Sequence, residues 1–375
     1  MDQTFLQTRL DETLARAIDA GEYPCALAIV FDGQREWYSG FFGRTDLEKP
    51  GVPRRDTIFR MFSSSKPFTG FAAALCVERG LFALEDRVDA FLPGFAEATV
   101  GPEHRPPVRP VVMRDLLSMT SGLTYDYPWD RSKLGISTVA FANELGRRGL
   151  AFDPGDHWEY SYSADVTGAV IEVASGRKFG DFLREEIFEP LGMRDTAFFV
   201  PPDKRGRLCK PYVRDSKTGR FSLYVENGDH IGMTDWDRPP SFESGGAGLF
   251  STADDIQKWT RMLLAGGVWK DRRLLSPATF RAMTSGLLTP RQARTFTWDN
   301  CEGQQYGYFN HVQSGKCPQG LLSGTGSFGW GGWMGTLSWV DPAHGLGCVF
   351  LVQAVDANSQ LANRVRNVVS AAAER

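Results

Sequence analysis

Long apolar runs, basic tracts and paired cysteines are all missing from this 375-residue chain. No stretch approaches the roughly 18 uninterrupted apolar residues of a spanning helix, so a membrane is not an expected partner. Lys and Arg together number 42 against 45 Asp and Glu, a net charge of -3, and no basic stripe interrupts the balance. Nucleic acid, whose binding rests on phosphate neutralisation, is therefore not expected either. The six cysteines (Cys25, Cys76, Cys209, Cys301, Cys317 and Cys348) form no CxxC pair. That excludes the usual structural zinc frameworks and predicts free thiols. The five histidines (His104, His157, His230, His311 and His344) show no metal-ligand spacing, and HExxH is absent. No metal or organic cofactor is expected. There is also no Gly-x-Ser-x-Gly, the elbow of an α/β-hydrolase triad.

The N-terminal segment has no basic stretch leading into an apolar run, which predicts a cytoplasmic protein without a signal peptide. Leu6, Leu10, Leu14 and Ile18 instead recur at a helical spacing along one face. The composition, 42% apolar and 23% charged, is that of a globular protein with a sizeable core.

Along the chain, CALAIVFD (25–32) and REWYSGFFG (35–43) flank a Gly-containing turn and predict a β-hairpin. A short strand over 57–62 leads into a helix whose inward face carries Phe68, Phe71, Ala72 and Leu75, with Gly80 as its C-cap. From about 85 to 235, helical segments alternate with Pro- and Gly-rich loops. Helices are predicted over 252–264 and from the Ser276 N-cap to about 284, then strands over 332–340 and 347–355 and a closing helix. The expected fold is α/β (α+β): an antiparallel sheet flanked by helices, built from 1–84 and 236–375. A mainly helical part over 85–235 completes it, with the active site in the cleft between the two parts.

Three segments can carry chemistry. In Ser63-Ser64-Ser65-Lys66, Ser63 and Lys66 stand at i and i+3, helical neighbours. A serine at a helix start meets unpaired N–H groups, and a neutral amine one turn on can take its proton. The spacing alone better fits an N-cap serine beside a solvated lysine. It also recurs at Ser175–Lys178, where a glycine at a helix end indicates a turn. In PGDHWEYSYSADVTGAV (154–170), Tyr160 and Tyr162 precede a helix, and either can relay a proton or simply pack. The loop histidine His157 nearby is read as structural. In SGTGSFGWGGWMGTLSWVDP (323–342), repeated glycines before a strand suit backbone approaching a ligand, or only a tight loop.

Together these segments, with LLSMTSGLTY (116–125), FEPLGMRDTAF (188–198) and SGGAGLFSTADDIQKWTRML (244–263), resemble the serine β-lactamase-like superfamily. Its class C β-lactamases, DD-peptidases and family VIII carboxylesterases are the nearest in pattern, and the resemblance runs from about residue 10 onward. It implies the β-lactamase/transpeptidase-like fold, Ser63 as acylated nucleophile, Lys66 as its proton acceptor and Tyr160 as base and leaving-group acid. Trp330-Gly331-Gly332 matches the third motif, and the oxyanion hole implied is the backbone N–H of Ser63 and of Trp333.

Two departures from the family pattern bear on substrate. Tyr162 stands where an asparagine holds the β-lactam side-chain amide. Trp330 stands where a cationic residue meets a substrate carboxylate. Both favour a small, apolar ester over a β-lactam. The aromatics Tyr125, Tyr127, Trp129, Trp158, Trp236, Trp330 and Trp333 suit an apolar pocket, with Tyr125 and Trp129 as its walls and Tyr162 beside them. A literal Lys217-Thr218-Gly219 is read as a hairpin turn. The expected function is thus carboxylesterase. A β-lactamase, a D-amino-acid peptidase, an acyltransferase and a non-catalytic homologue stand as alternatives.

Overall fold

The computed structural model describes residues 1–127, 136–225, 237–298, 301–355 and 360–375. Its helices are α1 Gln3–Asp19, α2 Lys66–Glu78, α3 Met113–Leu117, α4 Thr138–Arg148, α5 Ser163–Ser175, α6 Phe179–Leu183, α7 Glu189–Leu191, α8 Ala253–Leu264, α9 Pro277–Thr284, α10 Pro290–Ala293 and α11 Gln360–Ala373. Its strands are β1 Cys25–Phe31, β2 Glu36–Gly43, β3 Ile58–Arg60, β4 Tyr212–Arg214, β5 Phe221–Leu223, β6 Phe250–Thr252, β7 Val268–Trp269, β8 Arg272–Arg273, β9 Gln305–Gly307, β10 Asn310–Val312, β11 Phe328–Gly331, β12 Leu337–Asp341 and β13 Leu346–Leu351. None of the described helices is long and apolar enough to cross a membrane.

Seven strands form one antiparallel sheet in the order β2-β1-β13-β12-β11-β10-β9. The first hairpin of the chain thus pairs with its last strands, Leu27 opposite Leu351 and Ile29 opposite Val349. Every residue of β1 is buried, because both faces of the sheet are covered. Leu27, Ile29 and Phe31 point into the main core, and Ala26, Ala28 and Val30 point the other way. On that outer face lie α1 and α11, offering Leu6, Leu10 and Leu14 from one and Leu361, Val365 and Val369 from the other. Asp2 caps α1 by accepting from the Phe5 N–H at 2.9 Å.

On the inner face α8 packs its Trp259 against Phe68 and Phe71 of α2, with ring centres 4.3 and 5.2 Å away. Helix α2 is buried on every side from Lys66 to Cys76, all but its last two residues, so it threads the core rather than lying on it. Gly70 permits this, since a Cβ there would stand 1.9 Å from the Tyr308 carbonyl oxygen.

The expected hairpin and the helices over 252–264 and 276–284 are present as β1–β2, α8 and α9. The C-terminal strands differ. The segment read as a Gly-rich loop contains a strand, β11, and the expected strand at 332–340 begins only at Leu337. Gly329 is what disguised it, because a Cβ there would stand 2.2 Å from the Ser338 carbonyl oxygen of the neighbouring strand.

Candidate active site

Ser63 leaves β3 through a turn that the sequence pattern did not resolve. Phe62–Ser65 is a 3-10 turn, and the α-helix begins only at Lys66, with Pro67 in its first turn. In a 3-10 turn, side chains at i and i+3 eclipse, which aligns Ser63 with Lys66 more directly than an α-helix would. Phe62 enters this turn at φ 44°, a left-handed conformation costing a non-glycine residue about 1–3 kcal/mol. Packing holds it there: Phe62 is buried beside Met334, and its ring meets the Trp333 ring edge-on at 5.2 Å.

Lys66 Nζ donates to Ser63 Oγ at 3.0 Å and to the Gly246 carbonyl oxygen at 2.9 Å. The side chain is fully buried, and its Nζ lies 4.5 Å from the centre of the Tyr160 ring. Gly246 belongs to the SGGAGLF stretch, and its own N–H donates to Asp165 Oδ1 at 3.2 Å, as does Ser244 Oγ at 2.5 Å. Burial pushes the Asp165 carboxyl up, against the Ser244 hydrogen bond and the Lys66 charge, which pull it down. A Cβ on Gly246 would stand 2.6 Å from Asp165 Oδ2, so glycine is what allows this backbone to reach both groups.

Tyr160 Oη accepts a hydrogen bond from Trp330 Nε1 at 3.2 Å. Strand alternation explains the aim: Phe328 and Trp330 of β11 face the main core, and Gly329 and Gly331 face away. An indole N–H on the phenol oxygen is positioned to stabilise that oxygen when it carries negative charge.

After β11 the chain turns at Gly332, whose N–H donates to the Thr336 carbonyl oxygen at 2.7 Å. The turn is sewn to the end of the strand that leads to Ser63. Thr336 Oγ1 donates to the Met61 carbonyl oxygen at 3.0 Å, and Ser64 Oγ to the Thr336 carbonyl oxygen at 3.1 Å. Only glycine fits at 332, since a Cβ would stand 2.2 Å from the Met61 carbonyl oxygen. Trp333 is thereby brought to the Ser63 junction.

A cavity of about 780 Å³ is lined by Ser63, Tyr160, Tyr125, Tyr162, Gly331, Gly332, Trp330 and Trp333. Tyr162 closes against Tyr125 and Phe141, with ring centres 4.4 and 5.5 Å away. Other expectations fall elsewhere. Tyr127 turns its hydroxyl to the Gly149 carbonyl, and Trp158 is buried among Phe296 and Tyr306; neither lines the cavity. Trp129 and Trp236 lie outside the described residues. Lys217-Thr218-Gly219 forms the exposed β4–β5 turn, with the Asp215 carboxylate accepting from the Lys217 and Thr218 N–H groups at 2.9 and 2.7 Å. His157 stacks on Phe152 away from the cavity.

Sequence reasoning missed three contributors. The Gly246 carbonyl accepts from Lys66 and the Asp165 carboxyl acts on it by charge; Gly246 lay in the matched SGGAGLF stretch and Asp165 in the 154–170 segment. Trp298 lines the cavity, 4.4 Å from the Tyr160 ring, and is 46% exposed. No motif marked it.

A serine held against a buried lysine, beside a tyrosine and a glycine turn that follows a strand of an antiparallel sheet, is an arrangement that suits a serine hydrolase of the β-lactamase fold. Residues 10–373 match the Beta-lactamase family, and the chain belongs to that family as a serine hydrolase. Protein Rv1367c of Mycobacterium tuberculosis is 31% identical over 93% of this chain and 92% of its own length. Esterase EstB of Burkholderia gladioli is 28% identical over 94% of this chain and 91% of its own. Among solved structures, EstCE1, described as a hydrolase with promiscuous acyltransferase activity, aligns with a TM-score of 0.84 at 23% identity. That alignment covers 98% of this chain and 99% of EstCE1.

Proposed function

We propose that this protein is a carboxylesterase that cleaves small, apolar esters through an acyl-enzyme on Ser63. Lys66 Nζ takes the hydroxyl proton as Ser63 Oγ adds to the ester carbonyl, and the backbone N–H groups of Ser63 and Trp333 hold the oxyanion. Tyr160 passes a proton to the departing alkoxide as the carbon–oxygen bond breaks. Water then adds to the acyl-enzyme, giving its proton up along the same path, and Ser63 Oγ leaves as the free hydroxyl. The observation that carries this reading is the Trp330 indole N–H resting on Tyr160 Oη. A cation at that position would recruit a substrate carboxylate beside the reacting bond; an indole instead offers an apolar wall and supports the tyrosine. EstB, named an esterase, lends the same direction.

Acyl transfer to an alcohol is a second reading, favoured by the size of the cavity, 780 Å³, which exceeds what a small ester fills. Intact-mass measurement after a fluorophosphonate tests the nucleophile: one adduct is expected on wild type and none on Ser63→Ala, and an adduct persisting in Ser63→Ala overturns the assignment. Turnover of p-nitrophenyl butyrate well above nitrocefin is expected, and the reverse order would restore a β-lactamase reading. Adding butanol during turnover separates the two esterase readings, since butyl ester appears only if the acyl group transfers.

A further inference from the structure

Helix α11 presents an apolar stripe to the outer face of the sheet, and one member of it is not apolar. Leu361, Val365 and Val369 are joined there by Arg366, which is only 8% exposed. Its guanidinium lies over the Trp339 ring, 5.5 Å from the centre. Among the described residues it makes no ion pair, and its Nε has no hydrogen-bond partner. Asp341, the carboxylate whose charge acts on it, is committed elsewhere: it accepts from the Gly324 N–H at 2.9 Å and pairs with His344 Nδ1 at 2.8 Å. The thiols of Cys317, Cys301 and Cys348 also lie near Arg366. A guanidinium does not shed its proton, so among the described residues this buried charge has no counter-ion.

A second orphan sits beside it. Strand register sets His311, Gly329, Trp339 and Cys348 in one row across the sheet, on the face that α11 covers. His311 is buried, and its Nε2 has no partner. Burial, reinforced by the Arg366 charge, pulls its pKa down to about 3, so the ring is neutral and Nε2 can carry a proton to donate. Gly329, lying between His311 and Trp339, puts no side chain into the gap.

Both orphans line the same cavity as Ser63 and Trp330. Strand β11 pairs with β12 as far as Gly331 but with β10 only as far as Gly329. Its edge is therefore open at Trp330-Gly331, and the cavity reaches both faces of the sheet around that edge.

We propose that Arg366 and His311 form a carboxylate-binding subsite, and that the anion it takes is the free-acid end of the substrate ester. The planar guanidinium fork matches a carboxylate in two parallel hydrogen bonds, and the His311 N–H adds a third. One positive charge beside a neutral imidazole is balanced by a monoanion, which selects a carboxylate over a phosphate dianion. The substrate is then an ester whose chain is apolar along the aromatic walls and acidic at its far end. The substrate half of this inference rests on Ser63 being the nucleophile; the binding half does not.

Two arms test it. In the first, Ser63→Ala protein is unfolded thermally with hexanoate or with hexanol. Hexanoate is expected to raise the midpoint by about 3 °C at tens of Kd while hexanol does not, and Arg366→Met is expected to lose the difference. This comparison needs no substitution at Arg366, so a poorly folding Arg366→Met would not blunt it. Equal behaviour of hexanoate and hexanol overturns the subsite. In the second arm, wild type is given mono-p-nitrophenyl adipate and p-nitrophenyl hexanoate. A kcat/KM ratio of about 10 or more for the acidic ester is expected, falling towards one in Arg366→Met. A ratio of one in wild type, with Arg366-dependent hexanoate binding intact, makes the anion a free ligand and overturns the substrate half. Failure to turn over either ester overturns the esterase reading, and the first arm still decides Arg366.

Discussion

The chain contains the same four-residue spacing twice, and the two copies could hardly be more differently placed. Ser63–Lys66 occupies a 3-10 turn at the head of a buried helix, and its lysine has no exposed surface. Ser175–Lys178 straddles Gly176, which ends α5 at φ 68°, and its lysine is exposed. In the first copy the amine is 3.0 Å from the hydroxyl. In the second, the serine hydroxyl accepts from the Arg177 N–H instead, at 3.3 Å. A lysine in water is a solvated cation; only a desolvated one, held against a hydroxyl, is set up to accept a proton. The pattern is permissive, and burial decides.

The sharpest way to break this comparison is to remove the serines. Ser63→Ala is expected to lower kcat/KM on p-nitrophenyl butyrate by about 10^4-fold or more, and Ser175→Ala to leave it within about twofold. Comparable losses at the two serines would show that burial is not the distinction. Next come the amines: Lys66→Met, which keeps the chain length in a buried site, is expected to cost about 10^3-fold, and Lys178→Met nothing measurable in the same assay. Tyr160→Phe belongs with Lys66→Met, at about 10^2-fold or more, whereas Tyr162→Phe stays near wild type; equal losses at the two tyrosines would undo the choice between them.

Glycine substitutions extend the contrast to the backbone. Gly332→Ala drives a Cβ towards the Met61 carbonyl oxygen and displaces Trp333, and a shift of that kind costs about 10^2-fold in kcat. Gly176→Ala meets no atom within 4 Å but keeps a positive φ. Its expected effect is a stability loss of about 1 kcal/mol by denaturant titration, with activity intact.

The smallest expected effect lies where the two copies are tied together. Glu186 accepts from Arg79 at the end of α2, at 2.5 and 2.8 Å, and from Arg177 between Ser175 and Lys178, at 3.0 Å. The Arg79 hydrogen bonds, against the opposing effect of burial, hold its pKa down to about 2 from an ordinary 4.5. A depressed carboxylate stabilises the fold fully above its unfolded value, and that contribution fades as pH falls from about 4.5 through 2. Partial solvation limits it to about 1 kcal/mol. Glu186→Gln should therefore unfold at a lower temperature than wild type at pH 7, with the gap closing near pH 2; a gap independent of pH would assign the effect to packing.

Much of the fold was legible because it is written in local periodicity. The β1–β2 hairpin alternates around a turn, and α8 and α9 announce themselves through Thr252 and Ser276, whose hydroxyls accept from Asp255 and Thr279 N–H groups at 3.3 and 3.2 Å. What escaped was decided at long range. β11 contains two glycines and has no strand propensity of its own, yet it is held between β10 and β12. The inward Arg366 was not singled out in the sequence, and its isolation depends on which carboxylates the fold brings near.

By itself, the sequence determined the residue types that acyl transfer needs, the family they resemble and the glycines that make close backbone approach possible. Chemistry of that kind is carried by identity and order, which a string of letters preserves. The tertiary structure alone decided that Lys66 is buried between Ser63 and the Gly246 carbonyl, that the Trp330 indole rests on Tyr160, and that the cavity wraps the sheet edge to reach Arg366. Those are outcomes of burial and of contacts between residues far apart in the chain. They depend on how much water each group loses when the sheet closes, and no local pattern records that loss.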